Sequence, residues 1–545
     1  MRYLDRESAM LAAGISHVQL TILLLLLLVA ALAVIAKRLH IAYPIVLVLG
    51  GLCLSLAPHI PQVSLDPNIV FLVFLPPLLF SAAFHTSWRD FRNNMVGILM
   101  LAFGLVGFTI YGVAGVTRWL LPGFDWKLGL VLGSVIATTD AIAATATAKR
   151  LGLPRRITDI LEAESLVNDG SGLVALKFTL AIVVTGVTPS FPYGVGLLFY
   201  LISMGVVIGL AVGVLVHSVQ RRIADAPIEI TISLVTPYIA YLAAEGAHCS
   251  GVLATLACGL YLGRRSSGFY SLHARMDSSA VWKTLDFILN GLVFLLLGLQ
   301  LPYILSDIRG LGTANLIVDG ALFSLLVILL RLLWVFPGAW ISSQIRRRLP
   351  LQPSEPLSSK SIFLVGWAGM RGVLALAAAI SLPEKLTSGA AFPQRNLIIF
   401  LTFCVIFATL VIQGLSLPVL IRRLGLTEAG ASHDEENWAN REIIAAALKA
   451  LDNLRKQNGA EQQNVYDRLE RYYRRRLASL GGSTNEGELT GRQLEHHRSL
   501  AQQLRDVERA TALALRNENK IHDQVLRALE RDLDLLDAHF AESES

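Results

Sequence analysis

The sequence predicts an all-α, polytopic membrane protein of about thirteen transmembrane helices followed by a cytosolic helical tail, and three observations carry that prediction. Hydrophobic residues make up 54% of the chain and charged ones 16%, with a mean hydropathy of +0.55. Soluble globular chains are less apolar than this. Apolar runs of bilayer-spanning length recur through the first 421 residues. The loops between them are alternately rich in Lys and Arg and nearly free of both, the charge pattern of a chain threaded back and forth through a membrane.

In chain order the apolar segments lie near 18–36, 41–58, 68–84, 95–121, 127–148, 157–185 and 195–219, then near 228–245, 250–263, 281–300, 314–343, 360–382 and 396–421. The "ILLLLLLV" run is expected to be a retained first span, because the opening 17 residues lack a convincing signal-peptide cleavage site. One set of loops carries Lys37 and Arg38, Arg89 and Arg92, Lys149 to Arg156, Arg221 and Arg222, Arg264 to Arg275, Arg346 to Arg348, and Arg422 and Arg423. The other set, including "APHIPQVSLDP", "LPGFD" and "TGVTPSFPYG", is nearly free of basic residues, although Arg118 and Lys127 flank the second. The positive-inside rule makes the basic set cytoplasmic, with the N-terminus outside and the C-terminus inside, in a cell (plasma or inner) membrane.

Beyond the last span the character changes. Stretches such as "NWANREIIAAALKALDNLRKQ" combine mixed charge with helical apolar spacing, so the chain divides into a transmembrane domain, 1–423, and a cytosolic helical domain, 424–545. The break at "SLGGSTNEGELTG" is expected to separate two helical parts, with a regulatory role for the tail left open. The net charge of +6 combines a basic membrane part with a tail, from about Thr427, in which Asp and Glu slightly outnumber Lys and Arg, and topology explains the basic residues without nucleic acid. Cys53, Cys249, Cys258 and Cys404 lack metal-ligand spacing and suggest no disulfide framework.

Polar residues inside the spans point to function. If the fifth span runs inward from Trp126, Asp140 lies roughly 20 Å below the outer surface, and Asp169, in a span running outward from Ile157, lies roughly 18 Å above the inner one. Both fall in the middle third of a slab about 30 Å thick, with Arg371 at a similar level. A charge there costs at least about 3 kcal/mol, which a span of Leu throughout avoids. Ser165 and Asp169 share one helical face, and Glu164 and Asn168 the neighbouring strip. Asp169, Asn168 and Ser165 together with Thr138, Thr139 and Asp140 form a set of hard oxygen ligands suited to Na⁺ or Li⁺. A carboxylate taken out of water holds its proton more readily, so a proton and a cation compete for it, which is the chemistry of an antiporter. The alternative is that these carboxylates only pair with Arg371 and Arg331 to hold helices together. That reading is favoured for Glu164, as partner of Arg371, and ion binding is favoured for Asp169.

The stretch TTDAIAATATAKRLGLPRRITDILEAESLVNDGSGLVALKF resembles the fifth and sixth helices of the monovalent cation/proton antiporter family, of the NhaP and eukaryotic NHE type. "FLPPLLFSAAF", "SGVLATLACGLYLG", "LNGLVFLLLGLQL" and "GWAGMRGVLALAAAISLP" resemble the family's third, ninth and tenth spans and its arginine helix, in the expected order. The resemblance implies an NhaA/NhaP-like fold with inverted repeats, a homodimer in lipid, and exchange of Na⁺, Li⁺ or K⁺ for H⁺ without a cofactor or enzymatic step. Carried over, Asp169 is the shared carboxylate, Asn168 and Ser165 support it, and Asp140 with Thr139 contributes from the interrupted fifth helix. The Na⁺ ligands are then Asp169, Ser165, Asp140 and Thr139. Glu164 with Arg371 is the internal ion pair, and Arg331 matches a family arginine in the eleventh span. Asn168, where electrogenic relatives carry a second Asp, resembles the electroneutral branch. Members often have a proline beside the Thr-Asp pair, whereas Thr138 and Ala141 flank it here, so the helix break must have another cause.

Other polar residues suit plainer roles. Lys177 is expected to snorkel outward, although a second switching charge is conceivable; His85, His217 and His248 are read as interfacial, Glu245 as a loop charge, and Trp88, Trp119, Trp126, Trp282 and Trp340 as belt anchors. A channel would more typically show a repeated filter or charged ring, and a hydrolase needs a nucleophile with its base or an HExxH motif, neither of which the spans contain. A proton- or sodium-coupled organic-solute transporter is the runner-up.

Overall fold

Apolar side chains in a bilayer leave the backbone no partner but itself, and the chain answers with helices. The computed structural model describes residues 2–426, apart from 57–65, 122, 187, 189, 224, 307–312 and 349–356, together with scattered residues between 441 and 477. Each of the thirteen apolar segments is helical, but ten helices among the described residues are long and apolar enough to cross a membrane by themselves. The difference has physical causes. Tyr43–Ser55 has only 13 residues, Gly251–Phe269 carries Arg264 and Arg265 in its last turns, and the twelfth segment is two half-helices, Ser359–Trp367 and Val373–Ile380. The chain divides into two units, Met1–Ala429 and Gly430–Ser545. In the second, the described residues between 441 and 477 are helical, and the second helical part expected of the tail lies outside the described residues.

Helix starts follow side-chain capping. Ser87, Asp225, Ser250 and Ser358 accept from the backbone N–H of Asp90, Ile228, Leu253 and Ser361 respectively, at 3.1 to 3.3 Å. Two π-helical turns matter for the site. The turn Met100–Leu105 frees carbonyls that accept from outside the helix: Trp334 Nε1 donates to Met100 O at 3.2 Å and Ser171 Oγ to Ala102 O at 2.5 Å. Those bonds fix the helices Thr313–Arg348 and Arg155–Thr185 against the fourth segment.

The largest apolar cluster joins Val131 and Val135, Ile157 and Leu161, Leu376, and Val405 and Ile406, so it surrounds both interrupted helices. A second joins Leu75 and Leu79 to Leu166 and to Leu256, and a third gathers around Phe80 and Trp282. Trp282 departs from its expected place as a belt anchor: it is 2% exposed and its indole donates to Ser233 Oγ at 3.2 Å. It lies ten residues into the helix Leu272–Leu299, on the face turned toward the bundle. Trp119, Trp126 and Trp340 are exposed, as are Tyr111, Phe199 and Leu333, which gives the outer faces the apolar character that lipid contact requires.

Candidate functional site

The fifth segment breaks without proline. Trp126–Ala137 ends as Thr138 turns extended, and the helix resumes at Ile142–Arg150. What holds the break open is a set of partners for the freed backbone groups. Arg371 Nη1 donates to Ala137 O at 2.9 Å and to Thr138 O at 3.1 Å, placing a cation at the carbonyl end of the first half-helix. The amide of Asp140 donates to Met370 O at 2.8 Å. Asp140 Oδ1 accepts from Ile142 N at 2.8 Å and so starts the second half-helix. Ser165 Oγ donates to Thr139 O at 2.7 Å and accepts from Ala141 N at 3.3 Å.

The twelfth segment is interrupted between Trp367 and Val373, and the two breaks meet. A Cβ on Gly372 would stand 2.5 Å from Asp140 Cβ, and one on Gly172 2.5 Å from Thr138 Cγ2, so both positions need glycine for the backbones to approach. Arg371 is fully buried, and its amide donates to Thr409 Oγ1 at 3.1 Å. Thr409 opens the second π-helical turn, Thr409–Gln413.

The helix Arg155–Thr185 sorts its polar residues by face. Asp169 lines a cavity and accepts no hydrogen bond from the described residues. Asn168, buried, donates through Nδ2 to Thr139 Oγ1 at 3.2 Å, and Thr139 Oγ1 in turn reaches Glu164 Oε1 at 3.5 Å. Glu164 is paired with Arg331, which corrects the expectation of an ion pair with Arg371. Arg331 Nη1 and Nη2 donate to Glu164 Oε1 and Oε2 at 2.6 and 2.8 Å, with the two side chains 2% and 1% exposed. The reason is helical phase: five residues separate Glu164 from Asp169, about 140° around the helix, so Glu164 turns from the cavity toward Thr313–Arg348. Arg371 meanwhile gives Nη1 to the Ala137 and Thr138 carbonyls, and its Nε and Nη2 have no hydrogen-bond partner among the described residues. Arg331 also donates to Gly366 O and Val365 O at 3.0 and 3.1 Å, tying the ion pair to the arginine segment.

The structure therefore brings Asp140, Asp169, Ser165 and Thr139 to one cavity of about 560 Å³ and leaves Glu164, Arg331 and Arg371 out of its lining. Both Asp169 carboxylate oxygens and Asp140 Oδ2 have no hydrogen-bond donor among the described residues, whereas the Ser165 and Thr139 hydroxyls are engaged within the protein. The cavity reaches Lys149 and Glu162, paired at 2.7 Å and 65% and 35% exposed, so it opens to solvent at that end. Among the described residues no three His, Cys, Asp or Glu side chains gather as a metal cage.

Two other expectations change. Lys177 does not merely snorkel and Glu245 is not a loop charge: Glu245 lies in the helix Ala226–Gly246, and Lys177 Nζ donates to its two oxygens at 2.8 and 2.9 Å. His217 packs edge-on against Phe269 at 5.3 Å between ring centroids. Polar cavity residues that escape the sequence reading include Ser81, Asp286 and Asn290. Asp286 carries a readable signal, since it is an ionisable residue inside an apolar run, "TLDFILNGLVF".

The family described as "Sodium/hydrogen exchanger, transmembrane" matches residues 23–423. An uncharacterized Na⁺/H⁺ exchanger of Mycobacterium tuberculosis (strain ATCC 25618 / H37Rv) is 34% identical over 511 residues, covering 92% of each chain. A sodium, potassium, lithium and rubidium/H⁺ antiporter of Bacillus subtilis (strain 168) is 34% identical over 73% of this chain and 61% of its own. Among solved structures, the sodium proton antiporter MjNhaP1 from Methanocaldococcus jannaschii superposes with a TM-score of 0.57 at 19% identity, over 77% of this chain and all of that one. That likeness establishes the NhaP-type fold.

Proposed function

This chain belongs to the sodium/hydrogen exchanger family and exchanges a monovalent cation for a proton across a membrane, and we propose that Asp169 is the carboxylate that carries both. The observation that supports this reading is an Asp169 carboxylate with no hydrogen-bond donor among the described residues, lining a cavity it shares with Asp140. Protonated, Asp169 needs no counter-charge. When Na⁺ arrives, the Asp169 O–H bond breaks, the proton leaves to water in the cavity, and the carboxylate binds the cation in its place. Asp140 Oδ2 is the second ligand, and Ser165 and Thr139 position these groups through Thr139 O and the Asn168 amide. One carboxylate that trades one proton for one cation makes the exchange electroneutral, in keeping with Asn168 beside it.

Glu164, Arg331 and Arg371 hold the breaks in place and take no part in the exchange. With the basic loops cytoplasmic, the cavity mouth at Lys149 and Glu162 opens inward, the N-terminus is outside, and residues 424–545 form a cytosolic domain in a cell membrane protein that works as a homodimer. Na⁺, Li⁺ and K⁺ are the cations to compare, given the breadth in the name of the Bacillus subtilis relative. The organic-solute alternative finds no support in the family.

The test is proton movement in proteoliposomes of purified protein carrying an internal pH dye and an imposed pH gradient, on addition of NaCl, LiCl, KCl or choline chloride. Gradient collapse by Na⁺ or Li⁺, unchanged by a K⁺/valinomycin voltage clamp and absent from Asp169→Asn, is the expected result. No cation response from the folded wild type, or a full response from Asp169→Asn, would overturn the proposal.

A further inference from the structure

The cavity lined by Asp169 and Asp140 contains a third aspartate, which the exchange as described does not use. Asp286 stands on the helix Leu272–Leu299, across the cavity from the carboxylate helix. Its Oδ2 accepts from Ser81 Oγ at 2.5 Å, and its Oδ1 has no partner among the described residues. One turn further along the same helix, Asn290 lines the cavity at 8% exposure and makes no hydrogen bond among the described residues. Its amide atoms are not sealed off: they keep access to the cavity that the residue lines, where they are available to a ligand.

Depth along the helices orders these groups. Ser81 is four residues, about 6 Å, from the end of the helix at His85, which precedes the basic loop of Arg89 and Arg92. Glu162 at the mouth is seven residues, about 10 Å, inward of Asp169. Asn290 is about 6 Å outward of Asp286. A cation entering at the level of Glu162, Asp286 and Ser81 meets Asn290 next, before Asp169 and Asp140. The charges agree with that order. Lys149 is neutralised by Glu162, and Lys283, exposed one turn inward of Asp286, leaves the three aspartates in excess. His85 is turned to the Ser81 carbonyl, which its Nδ1 meets at 2.8 Å.

We propose that Asp286, Asn290 and Ser81 form a second cation-binding site in the inner half of the cavity, where a monovalent cation loses part of its water before it reaches Asp169. The site supplies one full charge and two neutral oxygens, a set that favours a monovalent ion over a divalent one. It binds without exchanging a proton, so it governs the concentration at which cytoplasmic cation saturates transport and leaves the turnover rate alone. The proposal rests on the exchange reading, and the experiment separates the two.

Everted membrane vesicles expose the cytoplasmic face, and proton efflux on added NaCl gives KM and maximal rate for the full-length chain in a host lacking sodium/proton exchange of its own. For Asp286→Asn the expected result is a KM for Na⁺ raised about tenfold, equivalent to about 1.4 kcal/mol of lost binding, with the maximal rate within twofold of wild type. Asn290→Ala shifts KM in the same direction by a smaller factor, and Asp286→Glu, which keeps the charge, restores it. The Ser81→Ala variant removes one neutral oxygen of the site while retaining the carboxylate, so its KM rises, by less than that of Asp286→Asn. A wild-type KM in folded Asp286→Asn, or a loss confined to maximal rate and thermal stability, would overturn the second site while leaving exchange at Asp169 intact. Should Asp286→Asn not fold, the pair Asn290→Ala and Asp286→Glu decides: wild-type KM in the first, or a tenfold rise in the second, rejects the site. An inactive wild type defeats the exchange reading itself.

Discussion

Replacing Arg331 with Ala tests how the site is held together. The substitution removes two charge-assisted bonds to Glu164, at 2.6 and 2.8 Å, and leaves a carboxylate that is 1% exposed with no counter-charge. Removing one partner of a buried pair costs about 3–5 kcal/mol. The carbonyls of Gly366 and Val365 also lose their donor, at about 1 kcal/mol each. The total is about 5–7 kcal/mol, less whatever Glu164 recovers by taking up a proton. At about 2–4 °C per kcal/mol for a large domain, the apparent midpoint falls by roughly 10 °C or more. Thermal unfolding in detergent, followed by tryptophan fluorescence at a fixed scan rate, reads this directly. The control is Glu164→Leu with Arg331→Met, which removes both charges and recovers most of the loss, because an apolar pair of similar volume replaces a desolvated ion pair. A midpoint for Arg331→Ala within 2 °C of wild type would refute the assignment of Arg331 as the partner of Glu164.

Asp169→Asn abolishes cation-driven proton movement while its midpoint stays within a few degrees of wild type; measurable exchange from this variant sinks the carrier role. Gly372→Ala drives a Cβ to 2.5 Å from Asp140 and forces the crossing breaks apart, so it lowers both transport rate and stability by about 1–3 kcal/mol equivalent, and normal kinetics would show that the breaks tolerate separation. Arg371→Ala strips the Ala137 and Thr138 carbonyls of their donor and collapses the break of the fifth segment, so exchange is lost even where Glu164 keeps its own partner; retained exchange argues against that role. Lys177→Ala removes a half-exposed ion pair with Glu245 and changes the midpoint by less than about 1 kcal/mol equivalent, a value that thermal unfolding either meets or exceeds.

The fold was legible where one physical signal decides it. Hydropathy located all thirteen helical segments, because a bilayer leaves the chain little alternative to helix. The midplane carboxylates were legible from their cost, and Asp140 and Asp169 do share a cavity. Pairings were less legible, since they depend on phase and on neighbours distant in the chain. Glu164 reaches Arg331, 167 residues away, instead of Arg371, because its face turns toward Thr313–Arg348, while Arg371 gives Nη1 to the carbonyls of Ala137 and Thr138. The break of the fifth helix lacks the proline that would have announced it. Its cause, a guanidinium and a carbonyl from the twelfth segment, has no local signature. Lys177 and Glu245 are 68 residues apart, and no spacing rule joins them. Asp286 differs: its place in an apolar run was visible, and only its neighbours Ser81 and Asn290 needed the structure.

The competition of a proton and a cation for one carboxylate is most directly tested by adding NaCl to purified protein in lightly buffered detergent solution and following pH with a dye, with choline chloride as the ionic-strength control. Wild type and Asp286→Asn release protons on saturating Na⁺, and Asp169→Asn releases none. Release that persists in Asp169→Asn, or Na⁺ binding by wild type with no proton released, would contradict exchange at Asp169.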